Sequence, residues 1–200
     1  ARVTKRSVIR VNGQIIESPD DDHVYLAFNK PVGIVTTTDT QEQDNITDYL
    51  NYPRRIFPIG RLDKPSEGLI FLTSDGDIVN KILRARNNHE KEYEVRVNRP
   101  ITKDFIQKMG NGIPVIGRIT DKCKVEEINK FTFRIILTQG LNRQIRRMCA
   151  YLDYEVYKLK RVRIMNIPLD IPVGKWRDLT EIELNEINRL ISSSSKTQDD

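Results

Sequence analysis

An α+β fold with a mixed, mainly antiparallel sheet flanked by helices is what this sequence predicts, on three observations. Residues 91–97 alternate strictly, with Tyr93, Val95 and Val97 set against Glu92, Glu94 and Arg96, the period of a half-buried strand. Beyond Ser74 and Asp75 the apolar residues Ile78, Val79, Ile82 and Leu83 fall instead at helical spacing. Helices and short strands then interleave along the chain without an internal repeat, the order expected when helices cover a largely antiparallel sheet. With 200 residues, 38% of them hydrophobic, the chain can bury one solid core or two small lobes that share a cleft.

The elements follow in order. Residues 8–11 read as a strand entering a turn at Asn12-Gly13, and residues 14–22 as a polar connector. Residues 24–29 make a largely buried strand, stopped at Lys30-Pro31-Val32-Gly33, where proline and glycine fix a turn. After a polar loop over 36–44, Asn45 caps a short helix ending at Leu50. Residues 56–59 form the strand that delivers a loop at 60–63, and 68–73 form the next; Ser74 or Asp75 then caps a helix. Thr102 caps a helix over 102–109 that Gly110 ends. Residues 113–138 break into strands at Gly117, Asp121 and Asn129. A helix over 142–152, a long strand over 155–165 and a closing helix over 180–191 complete the order, and the polar residues 193–200 are expected to be disordered.

The formal charge of +5 is modest, and its distribution says more than its total. Acidic residues gather at Asp20-Asp21-Asp22, between Asp39 and Asp48, and at Asp199-Asp200. Basic residues gather at Arg54-Arg55, at Arg84 with Arg86, between Arg143 and Arg147, and over 158–163. Separate basic islands alternating with apolar positions suit a folded surface that grips phosphates. No apolar run approaches the roughly 18 residues of a membrane span, and the N-terminal residues 1–6 lack the apolar stretch of a secretory signal. Cys123 and Cys149 have no spacing for a metal or a disulfide framework and read as reduced thiols of a cytoplasmic protein.

Two segments carry chemistry. Gly60-Arg61-Leu62-Asp63-Lys64-Pro65-Ser66-Glu67-Gly68 sets one carboxylate in a tight, arginine-flanked loop just ahead of an apolar strand. Asn142-Arg143-Gln144-Ile145-Arg146-Arg147-Met148 supplies cations. At about 100° per residue, Arg143, Arg146 and Arg147 share one helical face, while Ile145, Met148, Cys149 and Leu152 share the other. Three arginines without an intervening carboxylate repel one another, so an anion is expected against them, a protein carboxylate or an RNA phosphate. Together the two segments point to an enzyme that works on RNA.

Gly60-Arg61-Leu62-Asp63, Lys91-Glu92-Tyr93 and Gln144-Ile145-Arg146-Arg147-Met148 resemble the signature elements of the RsuA-type pseudouridine synthases. Lys30-Pro31-Val32-Gly33 is similar to that family's first motif, and Gly174-Lys175-Trp176-Arg177-Asp178-Leu179 to its closing one. The resemblance runs in order from Val24 to Leu190, and the segments around residues 80–84 and 88–93 are most similar to the branch acting on large-subunit, 23S, ribosomal RNA. It implies the pseudouridine synthase fold with a central basic cleft over 21–192, an isomerase acting on one uridine, and catalytic roles for Asp63, Tyr93 and Arg146. It implies ribosomal RNA as partner and neither membrane, metal, nucleotide nor organic cofactor. The enzyme is expected to act as a monomer. The family usually carries an N-terminal S4 RNA-binding domain, of which residues 1–20 resemble only the final portion.

Each role has a plainer competitor. Asp63 must be ionised to act, and Arg146 nearby would favour the charged form; alone, Asp63 could simply pair with Arg61 in a turn. By position alone Tyr93 is a packing residue, whereas the family implies a phenol that stacks on the base and assists removal of the C5 proton. Lys30 suits a phosphate contact or a turn equally well. Arg61, Arg143 and Arg147 are candidates for RNA backbone contacts, with Asn142 and Gln144 as polar contacts at the cleft. His23 and His89 are expected at surface or loop positions. The target uridine must leave its stack to be reached, with recognition resting on RNA shape, unstacked bases and phosphate charge. Two other classes compete: a non-catalytic RNA-binding or ribosome-assembly protein with a vestigial site, and an S4-linked RNA methyltransferase. The latter needs a glycine-rich turn opening a helix, and Met109-Gly110-Asn111-Gly112 leads into a strand instead.

Overall fold

The computed structural model describes residues 10–11, 14–15, 23–85 and 89–198. The elements run β1 (Arg10–Val11), β2 (Gln14–Ile15), β3 (Tyr25–Lys30), α1 (Ile46–Leu50), β4 (Phe57–Ile59), β5 (Glu67–Thr73), α2 (Gly76–Ala85), β6 (Lys91–Val97) and α3 (Lys103–Asn111). They continue with β7 (Pro114–Val115), β8 (Arg118–Ile119), β9 (Lys124–Asn129), β10 (Thr132–Leu137), α4 (Gln144–Tyr151), β11 (Val156–Ile164), β12 (Ile167–Pro168), β13 (Trp176–Asp178) and α5 (Glu181–Gln198). A nine-stranded sheet in the order β13-β3-β5-β11-β6-β10-β9, with β12 beside β11 and β4 beside β5, forms the body. Its β11–β5 junction is parallel and its other described pairings are antiparallel, so the sheet is mixed and mainly antiparallel as expected.

Three apolar clusters hold the sheet. Val95, Val97, Phe133 and Ile135 pack against Phe105 and Met109 of α3 and Ile145, Met148 and Cys149 of α4. Ala27, Leu69 and Phe71 pack against Ile82 of α2 and Ile187 and Ile191 of α5. Leu26, Phe28, Ile70 and Leu72 take the other face with Ile46 of α1. Strand β5 is therefore covered on both faces, which is why it is a continuous apolar run rather than an alternating one.

Register aligns the middle of the sheet. Ile135 pairs with Tyr93, Tyr93 with Arg161, Arg161 with Gly68, and Gly68 with Lys30, one transverse row across five strands. The row lines up residues from each end of the sequence, separated by more than a hundred positions, beneath a single region of the molecule.

Local signals placed most element ends. Asn45 Oδ1 accepts from Asp48 N at 2.7 Å and Thr102 Oγ1 from Phe105 N at 3.0 Å, as their cap roles require. Asp75 rather than Ser74 caps α2, accepting from Asp77 N at 3.1 Å. Four expectations are corrected. The polar connector begins with β2, which pairs antiparallel with β1; residues 8–9, Asn12-Gly13, Asp20–Asp22 and most of the S4-like stretch over 1–20 lie outside the described residues. Helix α3 passes through Gly110 and ends at Gly112, where φ is +114° and an added Cβ would stand 2.6 Å from the Thr120 carbonyl oxygen. Helix α4 starts two residues late because Arg143 turns left-handed, at φ +48°. Helix α5 continues to Gln198, through residues expected to be disordered: extending a formed helix fixes one residue per hydrogen bond, and no glycine or proline interrupts 192–198. Asp199 and Asp200 lie outside the described residues.

Candidate active site

A cavity of about 360 Å3 opens between the first and second apolar clusters. Leu137, Ile145 and Leu159 line it from one side, and Ile59, Phe71, Ile82 and Ile187 from the other. Asp63, Tyr93 and Arg146 all line it, although three separate stretches of the chain supply them. Arg61, Asn142, Arg143 and Gln144 line it as well. The volume falls in the range of roughly 300–1,000 Å3 typical of small-molecule sites.

The loop carrying Asp63 is pinned along its backbone. The Arg61 carbonyl accepts from Arg161 Nη1 at 3.4 Å. Leu62 is held at both ends by Thr36, whose Oγ1 donates to the Leu62 carbonyl at 2.8 Å and accepts from its N–H at 3.3 Å. The Asp63 carbonyl accepts from Ser66 N–H at 2.9 Å, and the Lys64 carbonyl from Gly33 N–H at 2.8 Å. Such a loop holds its carboxylate in place without help from substrate.

Lys30 is corrected from an RNA contact to an internal brace. It is fully buried, and its Nζ donates to the carbonyls of Pro31 at 2.9 Å, Ile34 at 2.8 Å and Lys64 at 3.5 Å. Burial pulls its pKa down to about 8, with Asp63 and Glu67 pulling the other way. No phosphate reaches an ammonium so enclosed.

Arg146 enters the cavity from α4, and its Nη2 donates to Ser66 Oγ at 3.0 Å. Its Nε is buried without a hydrogen-bond partner. Burial and the neighbouring Arg143 lower its pKa from the ordinary value, while Asp63 acts in the opposite sense, so acid and guanidinium feel each other across the cavity. The expected three-arginine face is resolved into three separate settings. Arg143 is the exposed left-handed residue ahead of α4. Arg147 is exposed, outside the cavity lining, and donates to Asn142 O at 2.9 Å and Oδ1 at 3.0 Å. The apolar face is as expected, with Ile145, Met148 and Cys149 buried.

Gln144 lines the cleft as expected and has a structural part as well. It is buried, its Oε1 accepts from Leu141 N–H at 3.1 Å and its Nε2 donates to Gln139 Oε1 at 3.2 Å, so it shapes the turn into α4. Tyr93 is half-buried in the register row, in contact with the first cluster and open to the cavity, which joins the two readings of its position.

Sequence reasoning missed three lining residues. Arg161 belongs in sequence to the basic island over 158–163 expected to grip phosphate, but it is buried and its Nε donates to the Leu69 carbonyl at 2.7 Å. In that island Arg163 pairs with Glu90 and Glu92, and Lys158 with Glu67, so most of it is spent within the protein. Ser66 lay inside the Asp63 segment without a role. His89 is buried in the cavity wall rather than on the surface, and burial, then Lys91, lowers its pKa. Cys123 and Cys149 are free, and burial raises their pKa values to about 11 and about 12, so both are thiols. Among the described residues no group of three or more His, Cys, Asp or Glu side chains is arranged to hold a metal ion, and no helix is long and apolar enough to cross a membrane.

Fold and site together are those of an enzyme that isomerises uridine in RNA: the chain belongs to the RNA pseudouridylate synthase family, whose sequence profile matches residues 24–151. It is similar to the dual-specificity RNA pseudouridine synthase RluF of Salmonella typhi, at 60% identity over 196 residues that cover 97% of this chain and 68% of the relative. It is also similar to the ribosomal large subunit pseudouridine synthase B of Bacillus subtilis, at 34% identity over 198 residues covering 94% of this chain and 80% of that one. A crystal structure of a pseudouridylate synthase superposes with a TM-score of 0.74 at 29% identity, over 88% of this chain and 76% of the other. The RsuA-type resemblance and the expected fold are thereby borne out.

Proposed function

We propose that the chain converts a specific uridine of large-subunit ribosomal RNA to pseudouridine, with Asp63 as nucleophile on a base flipped into the cavity. The observation that carries the assignment of roles is the meeting of Asp63, Tyr93 and Arg146 in the lining of one cavity, from positions 30 and 53 residues apart in sequence. The names of the relatives, a large-subunit synthase among them, support the choice of RNA.

The reaction breaks the bond from C1′ to N1 of uracil, turns the base, and forms a bond from C1′ to C5. N1 gains a proton and C5 loses one, so the net change is an isomerisation without oxidant or donor. Asp63 attacks C1′ directly or draws a proton from the sugar to give a glycal, and either route needs its carboxylate ionised beside a cation. Arg146 supplies that cation. Tyr93 lines the same cavity, where its ring can stack on the detached base and its hydroxyl take part in loss of the C5 proton. The apolar wall receives the base once it has left its stack, and Arg61 and Arg143 at the rim meet the backbone.

Release of tritium from RNA labelled at uracil C5 tests this reading. The wild-type protein turns over, and Asp63→Asn loses turnover while still binding RNA. Unchanged turnover in that variant refutes the role of Asp63. RNA binding without turnover in the wild type favours a vestigial site.

A further inference from the structure

Ser66 touches both halves of the candidate catalytic pair. Its N–H donates to the Asp63 carbonyl at 2.9 Å, closing the turn that carries the acid. Its Oγ accepts from Arg146 Nη2 at 3.0 Å across a gap of 80 residues. Ser66 is 2% exposed, so water does not compete for either bond. We infer that Ser66 is a positioning residue, whose hydroxyl fixes the Arg146 guanidinium in the orientation from which it serves Asp63 and the reacting uridine; this rests on the function proposed above.

The chemistry of the acceptor supports the assignment. Arg163 with Glu92 and Arg177 with Glu183 each spend the cation on a fixed anion. Ser66 offers a neutral oxygen instead. It orders the guanidinium while leaving the positive charge uncompensated, so that Asp63 and charge developing on the substrate feel it in full. Arg146 Nε stays buried and unpartnered. A buried donor left open costs stability unless something arrives to meet it. A carboxylate at position 66 would capture the guanidinium, and an apolar residue would let it swing.

Wild type, Ser66→Ala, Ser66→Thr and Ser66→Asp test this, each measured for tritium release, for KM on RNA and for thermal unfolding. Ser66→Ala is expected to lower kcat by about tenfold, the scale of one hydrogen bond, with KM within about twofold of wild type. Ser66→Thr keeps the hydroxyl and recovers most of the rate. Ser66→Asp abolishes turnover while remaining folded. In a cycle with Arg146→Lys, adding Ser66→Ala costs no further rate, because Ser66 acts through the guanidinium. Full kcat in Ser66→Ala overturns the inference. So do equal losses in the Ala and Thr variants, or losses that multiply in the double variant. An inactive wild type would instead sink the proposed function, so the two failures are distinct.

Discussion

Gly68 and Arg161 stand in register across the parallel junction of the sheet, so close that a Cβ on Gly68 would lie 2.3 Å from the Arg161 carbonyl oxygen and 2.6 Å from its nitrogen. Both obstacles are backbone, which cannot swing aside, and Gly68 also adopts φ +115°. The contact brings β5 against β11, and from there Arg161 Nε reaches the Leu69 carbonyl at 2.7 Å and its Nη1 the Arg61 carbonyl. Gly68→Ala is therefore expected to cost about 3 kcal/mol or more, seen as a lower urea midpoint. In whatever folds, turnover falls because the Asp63 loop has lost its support.

Lys30→Met removes the ammonium that braces the carbonyls of Pro31, Ile34 and Lys64. The orphaned carbonyls should cost about 2–3 kcal/mol, partly offset by release of a buried charge. Turnover should fall more than RNA affinity, since Lys30 is buried and faces no phosphate. A loss confined to RNA affinity, with stability unchanged, would contradict the internal brace.

Arg143→Gly separates stability from binding. Arg143 holds φ +48° with its side chain exposed, a conformation glycine adopts freely. Thermal unfolding should be unchanged or shifted up, while RNA affinity falls and its dependence on salt becomes shallower by about one counterion. An unaltered salt slope would remove Arg143 from the RNA contacts.

Glu183→Gln reports on the closing motif. Glu183 Oε1 accepts from Thr180 N–H at 2.8 Å and Thr180 Oγ1 from Glu183 N–H at 3.1 Å, a reciprocal cap on α5. Arg177 Nη1 and Nη2 grip the same carboxylate at 2.7 and 2.8 Å, and that bond is the main reason its pKa falls from 4.5 to about 2. A folded pKa below the unfolded one gives stability that is complete above pH 4.5 and is lost as pH falls through about 2. The difference in Tm between wild type and Glu183→Gln should thus be largest near neutral pH and shrink on acidification below about 4.5. A difference that is flat with pH would deny the ion pair its role.

Much of the fold was legible because its signals are local. The caps at Asn45 and Thr102, the alternation over 91–97 and the spacing of Ile78, Val79, Ile82 and Leu83 each need only neighbours to act. The misplacements fall where something distant intervenes. Gly110 looks like a helix end, yet Gly112 is the residue whose Cβ would strike Thr120 across a turn. Arg143 looks helical until the turn built by Gln144 and Leu141 forces it left-handed.

The amino-acid order alone determined the architecture, the family resemblance and the three residues on which a mechanism would rest, because periodicity and contiguous motifs are written along the chain. Which cations face substrate was decided only in three dimensions. Arg161 and Arg163 read as surface charge in one dimension, but the long-range pairing of β5, β6 and β11 turns them onto a carbonyl and a carboxylate of the protein itself. Burial makes the difference: a charge taken from water must find partners inside, and sequence does not reveal where those partners come from.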